Sequence, residues 1–143
     1  MFSVLILTLD EERNLPACLA SVTGCNDIVV LDSGSTDRTV AIARDAGARA
    51  FERAFTDFAD QRNFALETVA FKNEWVFHLD ADERLTPDLL RECDAVAANL
   101  NPSLRSDPDR PLRCAPITRP DPPESAPRSS GIRICVARNW LAQ

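Results

Sequence analysis

The sequence is poor in the residues that most often carry chemistry. Its 143 residues include one histidine, His78, and one lysine, Lys72. No GxSxG nucleophile turn and no phosphate-binding P-loop occur. The five cysteines (Cys18, Cys25, Cys93, Cys114, Cys135) are odd in number, dispersed, and never spaced as CxxC. That argues against a disulfide framework, a zinc site or a thiol nucleophile with an adjacent base, and it fits a reducing cytosol. His78 lies inside an apolar run and reads as a satisfied core or edge residue. No apolar run reaches the ~20 residues of a membrane span. The opening MFSVLILTL has no basic stretch before it, so it reads as a buried strand and not as a signal peptide. There are no internal repeats. After that first run the chain continues TLDEERN where a dinucleotide fold would want GxGxxG, which excludes a Rossmann dehydrogenase.

What is present is acidic and apolar. Hydrophobic residues make up 45% of the chain, enough for one domain with a core. The net charge of −6 is unevenly spread: residues 1–100 carry 9 basic and 18 acidic groups, residues 101–143 carry 7 and 4. An acidic main body repels phosphate backbones and argues against a nucleic-acid partner. It accepts an anionic substrate only where a metal or an arginine screens it.

Strand and helix patterns alternate over the first hundred residues. Strands are expected at Phe2–Thr8, Asp27–Asp32, Ala48–Glu52 and Glu74–Leu79, and helices at Arg13–Val22, Asp37–Ala46, Phe58–Phe71 and Pro87–Asn99. Leu15, Leu19 and Val22 share one helical stripe; so do Val40, Ala43 and Gly47, and Ala65, Leu66 and Val69. This order implies an α/β fold: a mostly parallel sheet, strand order 3-2-1-4, with helices on both faces. After Leu100 the pattern stops. Eight of the ten prolines lie between Pro102 and Pro127, so 101–143 reads as a disordered tail whose end, GIRICVARNWLAQ, could dock as a strand or short helix.

Parallel sheets bind ligands beyond the carboxyl ends of their strands. Three strands here end in acid: Asp10 and Glu11 follow the first, Asp32 ends the second, and WVFHLDADE delivers Asp80, Asp82 and Glu83 after the fourth. Asp80 and Asp82, two apart, point to one side of an extended segment and suit Mg²⁺ or Mn²⁺. The plainer reading is that Asp82 and Glu83 begin a loop and cap the helix at Pro87. In DSGSTD, Gly34 permits a turn and Ser35, Thr36 or Asp37 can cap a helix. Asp32 lies too far upstream for that duty, which leaves it free to accept from a base N–H or ribose hydroxyl. Arg62, in DQRNFAL, offers a planar donor fork to a phosphate, or is simply a solvated helix arginine.

Taken in order, TLDEERNL, IVVLDSGSTDRTVAIA, DQRNFAL and WVFHLDADERL resemble the nucleotide-binding half of family 2 glycosyltransferases with the GT-A fold. The wording is closest to bacterial lipopolysaccharide core glycosyltransferases, over roughly residues 3–97. The resemblance implies that Thr8, Leu9 and Glu11 hold the base, that Asp32 reads the uracil edge, and that Arg62 lies near base and diphosphate. It further implies that Asp80 serves ribose and metal and that Asp82 is the principal metal ligand. The implied reaction moves a sugar, with inversion, from a nucleotide diphosphate, expected to be UDP, to an acceptor hydroxyl on a glycan or lipid-linked acceptor. Mn²⁺ or Mg²⁺ would be the cofactor, and the setting would be the cytoplasm, with peripheral association at the inner membrane face allowed. Asp10 stands where relatives often have Asn. The larger departure is that the acceptor half and the usual catalytic base follow the DxD region in this family, whereas here the match ends near Leu100, as in a truncated or frame-shifted gene. No base can be named. Three other readings compete: a nucleotide-sugar-binding remnant without transfer; a haloacid-dehalogenase-like phosphatase, whose DxDxT loop would need Thr where Arg84 stands; and a receiver domain, which would want a lysine on a late strand, whereas Lys72 precedes the fourth.

Overall fold

The computed structural model describes residues 1–99 and 136–138. The strands among them are β1 (Ser3–Thr8), β2 (Ile28–Asp32), β3 (Arg49–Glu52), β4 (Trp75–Asp80) and β5 (Val136–Arg138), in one sheet ordered β3-β2-β1-β4-β5. The first four run parallel, in the expected order 3-2-1-4. β5 lies antiparallel against Trp75–Phe77, one of the two ways the end of the chain was expected to dock. The stretch 102–127, expected to lack regular structure, lies outside the described residues.

The helices are α1 (Leu15–Ser21), α2 (Thr39–Asp45), α3 (Phe58–Thr68) and α4 (Pro87–Asn99). Strand side chains alternate between two faces. Val4, Ile6, Val30, Phe77 and Leu79 pack with Leu15, Cys18 and Leu19 of α1, Ala43 of α2, and Cys93 of α4. Leu5, Val29, Leu31 and Val76 pack under Ala65 and Leu66 of α3, with Val69 and Phe71. Three helices therefore cover one face and α3 covers the other. The stripe of α2 differs from expectation: Gly47 is exposed, and Thr39 is buried at the helix start. Gly47 sits at φ 80°, where the amide donates to the Arg44 carbonyl and closes the helix. α3 stops at Thr68 because Val69 turns extended and drops into the core.

The edge at the amino ends of the strands is held by Asp27, which is buried. Its Oδ2 accepts from Ser3 Oγ at 2.6 Å and the Lys72 amide at 2.8 Å. Its Oδ1 accepts from Arg49 Nη2 at 2.8 Å and Nε at 3.1 Å. One carboxylate thus ties β1, β3 and the segment entering β4. Asp27→Ala strands several of these donors in the interior and is expected to cost about 2–4 kcal/mol. Urea unfolding measures it, and a loss below about 0.5 kcal/mol would refute the assignment.

His78 shares the α3 face of β4 with Val76. It is buried, as expected of a core residue, and its Nδ1 has no hydrogen-bond partner among the described residues. Burial, with the Arg62 charge second, lowers its pKa from 6.5 to about 4. The unfolded chain then binds the extra proton first, so stability is complete above pH ~6.5 and declines as pH falls toward 4. About 2 kcal/mol should be lost between pH 7 and 5. Urea titrations at those two pH values should show this slope in the wild type and a flatter one in His78→Gln.

Candidate functional site

The pairing register gathers the strand ends. Thr8 lies opposite Asp32 and Leu7 opposite Asp80, so the acidic ends of β1, β2 and β4 share one edge. Side-chain alternation puts Asp32 on the face of α1 and α2, and Asp80 on the face of α3.

Asp32 is the keystone of that edge: it caps no helix, as expected, but it has a structural duty that the sequence did not show. It is 1% exposed. Oδ1 accepts from Thr8 Oγ1 at 2.7 Å and Ser35 Oγ at 2.5 Å; Oδ2 accepts from the amides of Gly34 at 3.0 Å and Ser35 at 2.7 Å. A carboxylate reaches back onto its own turn two and three residues later, which is an Asx-type turn and needs no position at a helix cap. Gly34 adopts φ 99° to let the turn close.

The loop after β1 is stitched to this turn. The Asp10 amide donates to Ser35 Oγ at 2.8 Å, and Asp10 Oδ1 accepts from the Thr36 amide at 2.7 Å. The Glu11 amide donates to Thr39 Oγ1 at 2.8 Å, and the Glu12 amide to Asp37 Oδ2 at 3.1 Å. Asp10 sits at φ 52°, a left-handed conformation that Asp and Asn both tolerate. That shared tolerance explains why Asp can stand where Asn is usual. Asp37 receives the Thr39 amide and hydroxyl. Burial opposes its charge, but these bonds and the one from the Glu12 amide prevail and hold its pKa below the ordinary carboxylate value. Of the residues expected to hold a base, Thr8 is buried against Asp32, Leu9 is 52% exposed above the edge, and Glu11 accepts from Asn14 Nδ2 at 2.8 Å.

The turn after β4 is held from behind. Arg84 donates to the carbonyls of Ala81, Glu83 and Asn14, and the Cys18 thiol contacts the Asp80 carbonyl at 3.7 Å. Burial raises the Cys18 pKa to about 11, so it is a packing thiol and no nucleophile. Ala81 is buried, and Asp80 and Asp82 on either side of it are exposed. The cap of α4 is Thr86, whose Oγ1 accepts from the Leu89 amide at 3.2 Å. Glu83 turns back to the Asp80 amide at 3.2 Å. The capping explanation for Asp82 and Glu83 therefore fails. Asp82 makes no hydrogen bond or ion pair among the described residues. Arg62 reaches from α3 to Asp80, Nη2 to Oδ1 at 3.6 Å.

Among the described residues no three His, Cys, Asp or Glu side chains form a ready-made metal cage. Residues 81–82 form a turn closed by the Glu83 amide on the Asp80 carbonyl, not the extended segment expected, and the two outward carboxylates are the kind of oxygen donor that a hard cation takes together with water and phosphate. Asp82 and Asp80 would hold it.

The model of glycosyl transferase family 2 matches residues 3–103. The chain belongs to that family. It is 36% identical over 100 residues to an uncharacterized glycosyltransferase of Rickettsia bellii, covering 69% of this chain and 33% of that one. It is 39% identical over 106 residues to the lipopolysaccharide core biosynthesis glycosyltransferase LpsC of Rhizobium meliloti, covering 66% and 38%. Among solved structures, S. aureus TarS superposes with TM-score 0.56 at 24% identity, over 68% of this chain and 32% of that one. Glucosyl-3-phosphoglycerate synthase of Mycobacterium tuberculosis with UDP gives 0.51 at 24%, over 58% and 34%. At such identities the structural likeness establishes the fold, which resembles GT-A glycosyltransferases. The chain spans about a third of the length of these relatives.

Sequence reasoning missed the positioning roles of Ser35, read only as a possible helix cap, of Thr39 and of Arg84, which hold this edge without being acidic. A polar residue at each of those places was the only signal. Asp32 and Asp82 should separate cleanly in stability. Asp32→Ala abandons four donors and is expected to cost about 2–4 kcal/mol, whereas Asp82→Ala should stay within about 0.5 kcal/mol. Equal losses in urea unfolding would contradict these roles.

Proposed function

We propose that this chain binds the nucleotide-sugar donor of an inverting glycosyltransferase, with a UDP-sugar as donor and a glycan or lipid-linked hydroxyl as acceptor. The observation that carries this reading is the outward pair Asp80 and Asp82. It sits on the same edge as the stitched loops and serves no cap. Support for the donor comes from the M. tuberculosis synthase, which has been solved with Mn²⁺ and UDP-glucose and with Mg²⁺ and UDP. Support for the acceptor class comes from the name of LpsC.

In this reading Asp82 and Asp80 hold Mn²⁺ or Mg²⁺. Once bound, the ion supplies Lewis-acid charge to the departing diphosphate. Arg62 adds a planar fork for phosphate oxygens. Thr8, Leu9 and Glu11 line the base, with the exposed Leu9 giving it an apolar ledge. Asp32 holds Thr8 in place and takes a base N–H at Oδ1 when the Ser35 hydroxyl rotates away. The proton of the acceptor hydroxyl needs a general base, and none of the residues assigned here fills that role. With no base among the residues assigned here, a second reading is a donor-binding module without transfer.

The test is calorimetric titration of the full chain with UDP, with and without Mn²⁺. Binding should require Mn²⁺, and Asp82→Ala should weaken it at least tenfold, because carboxylates and diphosphate repel without a cation between them. Equal affinity in EDTA would remove the metal from the site. Binding with no transfer from UDP-sugars to any acceptor would select the second reading.

A further inference from the structure

The ion pair between Arg62 and Asp80 has features of a contact built to be exchanged. At 3.6 Å between Nη2 and Oδ1 it is too long for a strong hydrogen bond. The Asp80 side chain is 59% exposed and that of Arg62 34%. Arg62 Nε is buried with no hydrogen-bond partner among the described residues. Its guanidinium carbon stands 5.9 Å from the Phe58 ring centre. Beside it on the same face of β4, His78 Nδ1 is equally unpartnered. An arginine has five donors, and among the described residues this one makes one long ion pair and a distant ring contact, with its Nε unsatisfied. Little is lost when it moves.

We propose that Arg62 is a resident counter-ion of Asp80, which a divalent cation must displace and which then passes to the diphosphate of the donor. The inference rests on the donor-binding reading above, because it takes the cation's place to be Asp80 and Asp82. The charge argument is direct. A guanidinium and a dication cannot both take full advantage of one carboxylate, and each repels the other across a few ångströms. A cation arriving alone evicts Arg62 with no anion to receive it. A cation arriving with a diphosphate offers Arg62 a bidentate partner better than the one it leaves. Arg62 therefore makes the site select the cation–nucleotide pair over the bare cation. In the absence of either it also keeps Asp80 from repelling its acidic neighbours.

The discriminating experiment titrates Mn²⁺ alone, without nucleotide, into the full chain at low ionic strength and reads free Mn²⁺ by electron paramagnetic resonance. Arg62→Gln should bind Mn²⁺ roughly three- to tenfold more tightly than wild type, since a repelling unit charge has gone. Arg62→Lys, which keeps the charge, should stay close to wild type. Arg62→Gln combined with Asp80→Asn should lose the gain. With UDP present the sign reverses: Arg62→Gln should bind Mn²⁺–UDP more weakly than wild type. Unchanged or weaker Mn²⁺ binding in Arg62→Gln would overturn the proposal. Should that variant not fold, the wild type decides by nitrogen-15 spectra of the arginine Nε–H groups. The Arg62 signal should shift on adding Mg²⁺ in wild type and stay put in Asp80→Asn, and a signal that does not move at all refutes the exchange. Wild-type protein that binds Mn²⁺ as described but shows no heat with Mn²⁺–UDP would sink the nucleotide reading and leave the exchange standing.

Discussion

Parallel pairing of β1 with both β2 and β4 is the constraint on which the site depends. Parallel strands deliver every carboxyl end to the same edge, so one register decides which side chains meet there. With Thr8 opposite Asp32 and Leu7 opposite Asp80, a shift of one residue would send Asp32 to the α3 face and pull Asp80 from the edge. The apolar residues enforce that register. Val4, Ile6 and Val30 must stay under α1 and α2, and Leu5, Val29 and Val76 under α3. Site and core are therefore specified together.

The two edges of the sheet divide the work of their buried carboxylates. At the amino edge Asp27 is paired with Arg49 and joins the amino ends of β1 and β3 to the segment entering β4, at the other end of the strands from the site. At the carboxyl edge Asp32 is buried and, among the described residues, is satisfied by hydroxyls and amides with no cation beside it. A salt bridge at Asp32 would place a second positive charge at the carboxyl edge, whereas neutral donors hold the loop and leave the local field to Asp80, Asp82 and Arg62. The carboxylates left outward are the ones whose charge a donor and its cation would meet.

Much of this was legible in the sequence. Continuous apolar runs marked the buried parallel strands, and the alternation of strand and helix implied the order 3-2-1-4 that the fold shows. Acidic strand ends pointed to the carboxyl edge because strand polarity alone places them there. The motifs from TLDEERNL to WVFHLDADERL carried the family. What could not be read was the second half of each interaction. The bonds of Asp32 could not be read because its partners, Thr8 and Ser35, are revealed only when β1 lies beside β2 and the turn closes. Glu83 looked like a capping residue of α4 until Thr86 was seen to hold that place. Gly47 fitted a helical stripe by spacing, yet its backbone ends the helix.

By itself the sequence determined the α/β class and the set of acids that gather at one edge, since these follow from hydrophobic period and chain direction, which are local properties; the family came from the resemblance of its motifs. Only the tertiary structure decided which of those acids are spent within the protein and which face outward. Asp32 and Asp82 are the same residue type at the same kind of position. One is buried under four hydrogen bonds and the other has none among the described residues. The difference lies in donors brought from elsewhere in the chain, 24 residues away in the case of Thr8, and no local pattern records where such a donor will arrive.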